Sequence, residues 1–198
     1  MEAARPAADE PEVGSGQKRK ATYADLEAVP SHRVAELVDG ELYVSPRPPS
    51  LQALAKGVLY GELDGPFDQG LGGPGGWLLL FEPELHLGED VLVPDLAGWR
   101  RERMPEMPDV VGFTLAPDWL CEVLSPSTAA LDREKKMKLY GRAGVRHLWL
   151  VDPLRQSLEV YALEGNRWQP LGTHTGQAQV HAEPFTPLRL ELGLLWQR

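Results

Sequence analysis

The rhythm of apolar and polar residues changes along this chain, and each change marks an element. Thr22 precedes "YADLEAV" and can cap a short helix there. "VAELV" and "ELYVS" are β-rich runs joined by Asp39-Gly40, a pair suited to a type I′ turn, so they predict a hairpin. "SPRPPS" interrupts the pattern. Leu51, Leu54, Ala55, Val58 and Leu59 then recur at i, i+3, i+4, i+7 and i+8. That spacing predicts an amphipathic helix over about residues 50 to 63, with Ser50 as its cap.

"GPFDQGLGGPGG" reads as a flexible loop. It lacks the Gly-Lys-Ser/Thr ending and the preceding strand of a phosphate-binding loop. From Trp77 onward strands accumulate: "WLLLFEPELHL", "VLVPDLAGW", "DWLCEVL", "HLWLVD", "LEVYAL" and "RWQPLG". A helix, "LDREKKMKLYGRA", separates the third from the fourth, and Gly144 can end it in a left-handed conformation. "LRLELGLLW" alternates and predicts a last strand and turn. The order of elements predicts one α/β domain over residues 21–198, with a mixed central sheet flanked by helices. Residues 1–20 show no apolar period and predict a disordered tail, whose "KRK" reads as a solvated run.

Composition narrows the class. A chain of 198 residues with 42% apolar residues can bury a core. No apolar run is long enough for a transmembrane helix and no signal peptide is visible, so a membrane is not an expected partner. The single cysteine, Cys121, excludes an internal disulfide framework and fits a cytoplasmic location. The net charge of −9 argues against a broad basic surface for nucleic acid. A phosphate substrate would need local cations or metal ions to offset it.

Two carboxylates stand where core residues are expected. Asp95 lies in "VPDLAGW", and Glu122 in "DWLCEVLSPST" shares its strand face with Leu120 and Leu124. Burying an unpaired carboxylate costs several kcal/mol, on the order of the penalties known for buried charges. Two acids converging at a sheet edge suit a hard divalent ion such as Mg²⁺ or Mn²⁺, which takes oxygen ligands and keeps waters. On the following helix Asp132, Lys136 and Tyr140 share one face, while Lys135 and Lys138 point elsewhere. Carboxylates, a metal and one inward ammonium make a kit for phosphodiester hydrolysis.

The runs "AELVDGELYVSPRP", "EPELHL", "VPDLAGWRRER", "CEVLSPST", "LDREKKMKLYGRAGVRHLWLVDP" and "LEVY" resemble the Uma-Two family of the PD-(D/E)xK restriction-endonuclease superfamily. The resemblance covers about residues 21 to 196. It implies a restriction-endonuclease-like sheet flanked by helices and a Mg²⁺-dependent DNA-cleaving site. Asp95 and Glu122 match the motif acids and would be metal ligands, with the Val123 carbonyl as a backbone ligand. The motif lysine position holds Leu124, which cannot act as an amine, and the resemblance points to Lys136 on the helix instead. A further N-terminal acid is common in the fold, and both Glu36 and Glu62 are candidates. Relatives tend to carry a histidine after "SPRP", whereas this chain reads "PPSLQAL".

Other readings stand beside these. Asp95 could cap a turn, Glu122 could pair with an arginine of "WRRER", and Lys136 could be a surface lysine. Arg100, Arg101 and Arg103 could meet phosphates near the site or form a solvated loop. Cys121 reads as a buried structural thiol, and the tryptophans as core, with Trp99 and Trp119 as candidates to flank a site. "HAE" at 181–183 lacks the Cys-x-x-Cys of a deaminase. The expectation is an endonuclease hydrolysing DNA or a related nucleic acid with Asp95, Glu122 and Lys136, with a homodimer as a candidate assembly. The alternatives are an inactive nuclease-fold binding or regulatory module and a hydrolase of small phosphodiesters.

Overall fold

The computed structural model describes residues 19–197. The predicted tail therefore lies outside the described residues except for Arg19 and Lys20. Arg19 pairs with Asp25 at 2.8 Å, and Lys20 reaches Glu89 at 3.4 Å.

The first elements follow the sequence pattern. Helix α1 (Tyr23–Glu27) starts at Thr22, whose backbone amide donates to the Asp25 carboxylate at 2.7 Å. Strands β1 (Val34–Val38) and β2 (Glu41–Ser45) form the hairpin. Asp39 and Gly40 take φ of 51° and 78°, the left-handed pair that the turn requires. Helix α2 (Ser50–Leu63) follows, but Pro49 and not Ser50 occupies the capping position. The helix also runs further than its apolar period suggests. A wide π turn (Asp64–Asp68) continues it and buries Phe67, so part of the expected loop is helical.

The long apolar runs in the middle of the chain are each broken in two. "WLLLFEPELHL" gives β3 (Trp77–Phe81) and β4 (Leu85–Leu87), and "VLVPDLAGW" gives β5 (Asp90–Leu92) and β6 (Leu96–Arg100). The breaks coincide in space, because the Glu82 amide donates to the Asp95 carbonyl at 3.0 Å. Pro94 has no amide hydrogen to give a ladder, and Glu82 sits at φ 48°, a conformation that strands do not use. Asp95 is therefore not inside a strand, as the pattern suggests, but in the bend that leads into β6.

The remaining elements are β7 (Trp119–Val123), the helical stretch α3 (Ala129–Leu131), a π turn (Asp132–Lys136) and α4 (Met137–Arg142), then β8 (His147–Asp152), β9 (Ser157–Glu164) and β10 (Arg167–Thr175). Gly144 closes the helical stretch at φ 80°. The tail adds β11 (Gln179–Val180), β12 (Leu190–Glu191) and a 3₁₀ turn (Leu192–Leu195).

Among the described residues three sheets form. The large one has the order β10-β9-β8-β7-β6-β3, with β7 and β8 parallel and the other neighbours antiparallel. The second has the order β2-β1-β5-β4, and β11 pairs with β12. One face of the large sheet packs Trp77, Trp119 and Trp149 around Phe185, beneath Ala55, Leu59 and Leu63 of α2. The other face packs Leu120, Leu148 and Leu150 against Leu139 and Tyr140 of α4 and against Val38, Leu85 and Leu92 of the small sheet. Gly98 lets the layers close, since a Cβ there would stand 2.7 Å from the Leu79 side chain. Among the described residues, no helix is long and apolar enough to cross a membrane.

Candidate active site

The register of the large sheet brings the two predicted acids together. Leu96 pairs with Cys121, so the bend before β6 lies beside the end of β7. Asp95 accepts the Val123 amide hydrogen at 2.5 Å. Glu122, one residue earlier on β7, faces Leu120 and Leu124, and Cys121 turns to the opposite core layer.

The helical stretch delivers its polar face to Glu122. Lys136 Nζ lies 2.9 Å from Glu122 Oε1, 2.8 Å from Glu36 Oε1 and 3.4 Å from Asp132 Oδ1. The Tyr140 hydroxyl donates to Glu122 at 2.6 Å. Asp132, Lys136 and Tyr140 thus share one face, as their spacing predicts, while Lys135 reaches out to Glu41 and Tyr43. Leu124, at the motif lysine position, is buried core.

Of the two N-terminal candidates, Glu36 is the one that the fold brings to this group. It projects from β1 and accepts the Val93 amide hydrogen at 2.8 Å, which holds it beside the bend. Glu62 lies on α2 and does not line the pocket formed by these groups. That pocket, about 50 Å³, is lined by Glu36, Lys56, Asp95, Glu122, Asp132 and Lys136, with Ser45, Pro46 and Pro48 at its rim.

Lys56 was not among the sequence candidates. Its side chain, 5% exposed, projects from α2, contacts Asp95 and lies 3.0 Å from Glu82. A signal did exist. Gln52 and Lys56 are four residues apart, on the flank of the apolar stripe of Ala55, Leu59 and Leu63, and both are buried.

The electrostatics are those of an acid cluster short of positive charge. Five carboxyl groups (Glu36, Glu82, Asp95, Glu122 and Asp132) share two ammonium groups. Burial pushes the Asp95 carboxyl up to about 6, with Lys56 pulling the other way. Burial also raises Glu122 well above the usual carboxylate range, against the pull of Lys136. Burial alone would lower Lys136, but the surrounding Glu122 and Glu36 hold its ammonium well above the ordinary lysine value. Lys56 is raised in the same way, with Asp95 and Glu82 outweighing its desolvation. Tyr140 is raised by burial and then by Glu122.

The donor chemistry fits a hard divalent cation: oxygen ligands, a small pocket and more carboxyl groups than ammonium groups. Among the described residues, no three Asp, Glu, His or Cys side chains are arranged to hold an ion by themselves. Asp95 and Glu122 with the Val123 carbonyl and waters would be such an ion's ligands, a sparse set of the kind Mg²⁺ accepts.

Other candidates lie elsewhere. Arg100 stacks over Trp77 at 4.2 Å, Arg101 pairs with Asp68 at 2.6 Å and Arg103 with Asp118 at 2.8 Å. They sit at the far end of β6 from Asp95, about 16 Å away at the usual rise per strand residue, so they do not serve this pocket. Trp99 and Trp119 are fully buried in the two core layers and do not flank it. Burial raises the Cys121 thiol well above its ordinary value, which keeps it inert. A larger cavity of about 750 Å³ lies among Lys20, Asp39, Arg103 and Arg142, away from the buried acids.

The mixed α/β layers and the acid–lysine pocket at the strand ends define a restriction-endonuclease-like protein. The family model "Uma2: Putative restriction endonuclease" matches residues 21–194, and the chain belongs to that family. It is also similar to the crystal structure of a protein described as a putative nuclease belonging to DUF820 from Anabaena variabilis. The TM-score is 0.70 at 21% identity, covering 89% of this chain and 97% of that one, which shows the shared fold. No curated protein matches the chain.

Proposed function

We propose that this protein is a divalent-metal-dependent nuclease that hydrolyses phosphodiester bonds in DNA. One observation carries the reading. Glu36, Asp95 and Glu122, from three different segments, converge on one pocket whose carboxyl groups outnumber its ammonium groups. Membership of a family described as "Putative restriction endonuclease" supports it.

Asp95 and Glu122 would hold the ion, Mg²⁺ or Mn²⁺, with the Val123 carbonyl as a further ligand. When bound, such an ion polarises the phosphate and acidifies a water. Lys136 stabilises charge that develops on the phosphate and orients the attacking water. Glu36 and Asp132 keep Lys136 protonated and in place. Tyr140 fixes the rotamer of Glu122 through its hydroxyl.

The test is conversion of supercoiled plasmid to nicked or linear forms, with Mg²⁺ or Mn²⁺ and with chelator. Wild type cuts only with metal, and Asp95→Asn, Glu122→Gln and Lys136→Gln each lose most of that activity. Full cleavage by Asp95→Asn would overturn the reading.

One observation favours a second reading, a nuclease fold that binds without cutting. Asp95 already meets Lys56 and Glu122 already meets Lys136, and Leu124 occupies the motif lysine position. Calorimetric titration with Mn²⁺ separates the two, since that reading needs no ion uptake.

A further inference from the structure

The wall of the acid pocket continues into a second cavity of about 380 Å³. Val34 and Val93 belong to both. Two chain segments build the shared rim, and each sends one arginine to the far side. Arg33 precedes Val34 at the start of β1. In "SPRPPS", Pro46 and Pro48 line the acid pocket while Arg47, between them, lines the second cavity. The Arg47 guanidinium donates to the Ser31 carbonyl at 3.4 Å, which ties it to the turn that carries Arg33. The flanking prolines restrict the backbone of Arg47, so less freedom is lost when it binds.

Most arginines among the described residues have a carboxylate partner, and this pair does not. Arg101, Arg103, Arg133, Arg142 and Arg155 each pair with a carboxylate. Arg33 and Arg47 have no carboxylate partner among the described residues, so, apart from the Arg47 bond to the Ser31 carbonyl, their donors can turn to an incoming anion. The cavity does hold acids, and most of their charge is already engaged. Glu82 lies 3.0 Å from Lys56, and Glu84 accepts the Tyr23 hydroxyl at 2.8 Å and meets His86 at 2.7 Å. Glu27 lines the cavity without such a partner and opposes an anion there. A polyanion approaching an acidic pocket on a chain of net charge −9 needs cations at that approach.

We propose that Arg33 and Arg47 form a clamp for backbone phosphates of DNA, next to the bond presented to Asp95 and Glu122. The clamp rests on the nuclease reading and adds where the strand lies: across the rim between the two cavities. Phosphate contacts of this kind position the duplex without reading its sequence.

The test is fluorescence anisotropy of a labelled DNA duplex, titrated with the full chain in chelator at several salt concentrations. Each phosphate contact adds about 0.9 to the slope of log affinity against log salt, so Arg33→Ala/Arg47→Ala should lower the slope by about 2. The double variant should also bind about tenfold or more weakly, similarly for unrelated sequences. Glu27→Gln should bind more tightly than wild type. Arg100→Ala, at the far end of β6, should leave the slope unchanged. Both arginines are exposed, so the variants fold. Wild-type binding with an unchanged slope in the double variant overturns the clamp. Plasmid nicking run in parallel keeps the two ideas apart. Metal-dependent cutting that survives the double substitution at full efficiency removes the clamp alone, whereas wild type that neither binds nor cuts removes the nuclease reading and the clamp together.

Discussion

The Tyr140 hydroxyl stands 2.6 Å from Glu122 Oε1, the same oxygen that Lys136 approaches at 2.9 Å. One carboxylate oxygen therefore takes two donors from a single helix face. Tyr140→Phe removes one of them in a fully buried setting. The expected cost is about 1–3 kcal/mol, the range for a buried acceptor that loses a partner. Urea denaturation of the two proteins measures it.

Lys136 holds together three buried acids from β1, β7 and the helical stretch. Lys136→Met should destabilise the fold by about 3–5 kcal/mol, the range for breaking a buried ion pair from one side. Adding Glu122→Gln to that variant should recover part of the loss, because one uncompensated carboxylate disappears. A denaturation cycle over the four proteins checks the sign of the coupling.

On the proposed reading, an ion would compete with Lys56 for Asp95. Saturating Mn²⁺ should raise the unfolding temperature of wild type, since a ligand at a hundred times its Kd adds about 2.7 kcal/mol. Asp95→Asn should abolish that gain. Lys56→Met should be less stable than wild type without metal and gain more from Mn²⁺, as the ion takes over the neutralising role of the ammonium. Scanning calorimetry with and without metal reads all three.

Away from the pocket, Arg133 of the helical stretch bonds Glu159 on β9, one of its two contacts at 3.0 Å. That bond holds the Glu159 carboxyl below its ordinary value, with burial opposing it. A carboxyl whose folded value is depressed adds stability above its unfolded value, near 4.5, and the contribution fades as pH falls through the folded value. The pair is partly exposed, so its worth at neutral pH is at most about 1 kcal/mol. Glu159→Gln should therefore lose stability relative to wild type at neutral pH, and the difference should vanish in strong acid. Urea titrations at a few pH values test this.

Much of the site is legible in the sequence because local spacing determines it. The alternation of "WLCEVL" puts Glu122 on one face and Cys121 on the other, and the helical period aligns Asp132, Lys136 and Tyr140. The hairpin at Asp39-Gly40 and the helix from residue 50 are equally local. What is not legible depends on chain segments meeting across long separations. "VLVPDLAGW" looks like one strand, since each half buries apolar side chains, and only pairing with two different sheets shows the bend at Asp95. Lys56 is adjacent to Asp95 through space alone. The arginines of "WRRER" look like a phosphate patch until Asp68 and Asp118 are seen to neutralise two of them and Trp77 to take the third.

The double break at Glu82 and Asp95 makes the site a joint. Glu36 rides on the small sheet and Glu122 on the large one, and the shared layer of Val38, Leu85, Leu92 and Leu120 keeps them in step. Loosening that layer, for example by trimming Leu85, would part the acids and undo the proposed site without altering any of its chemical groups.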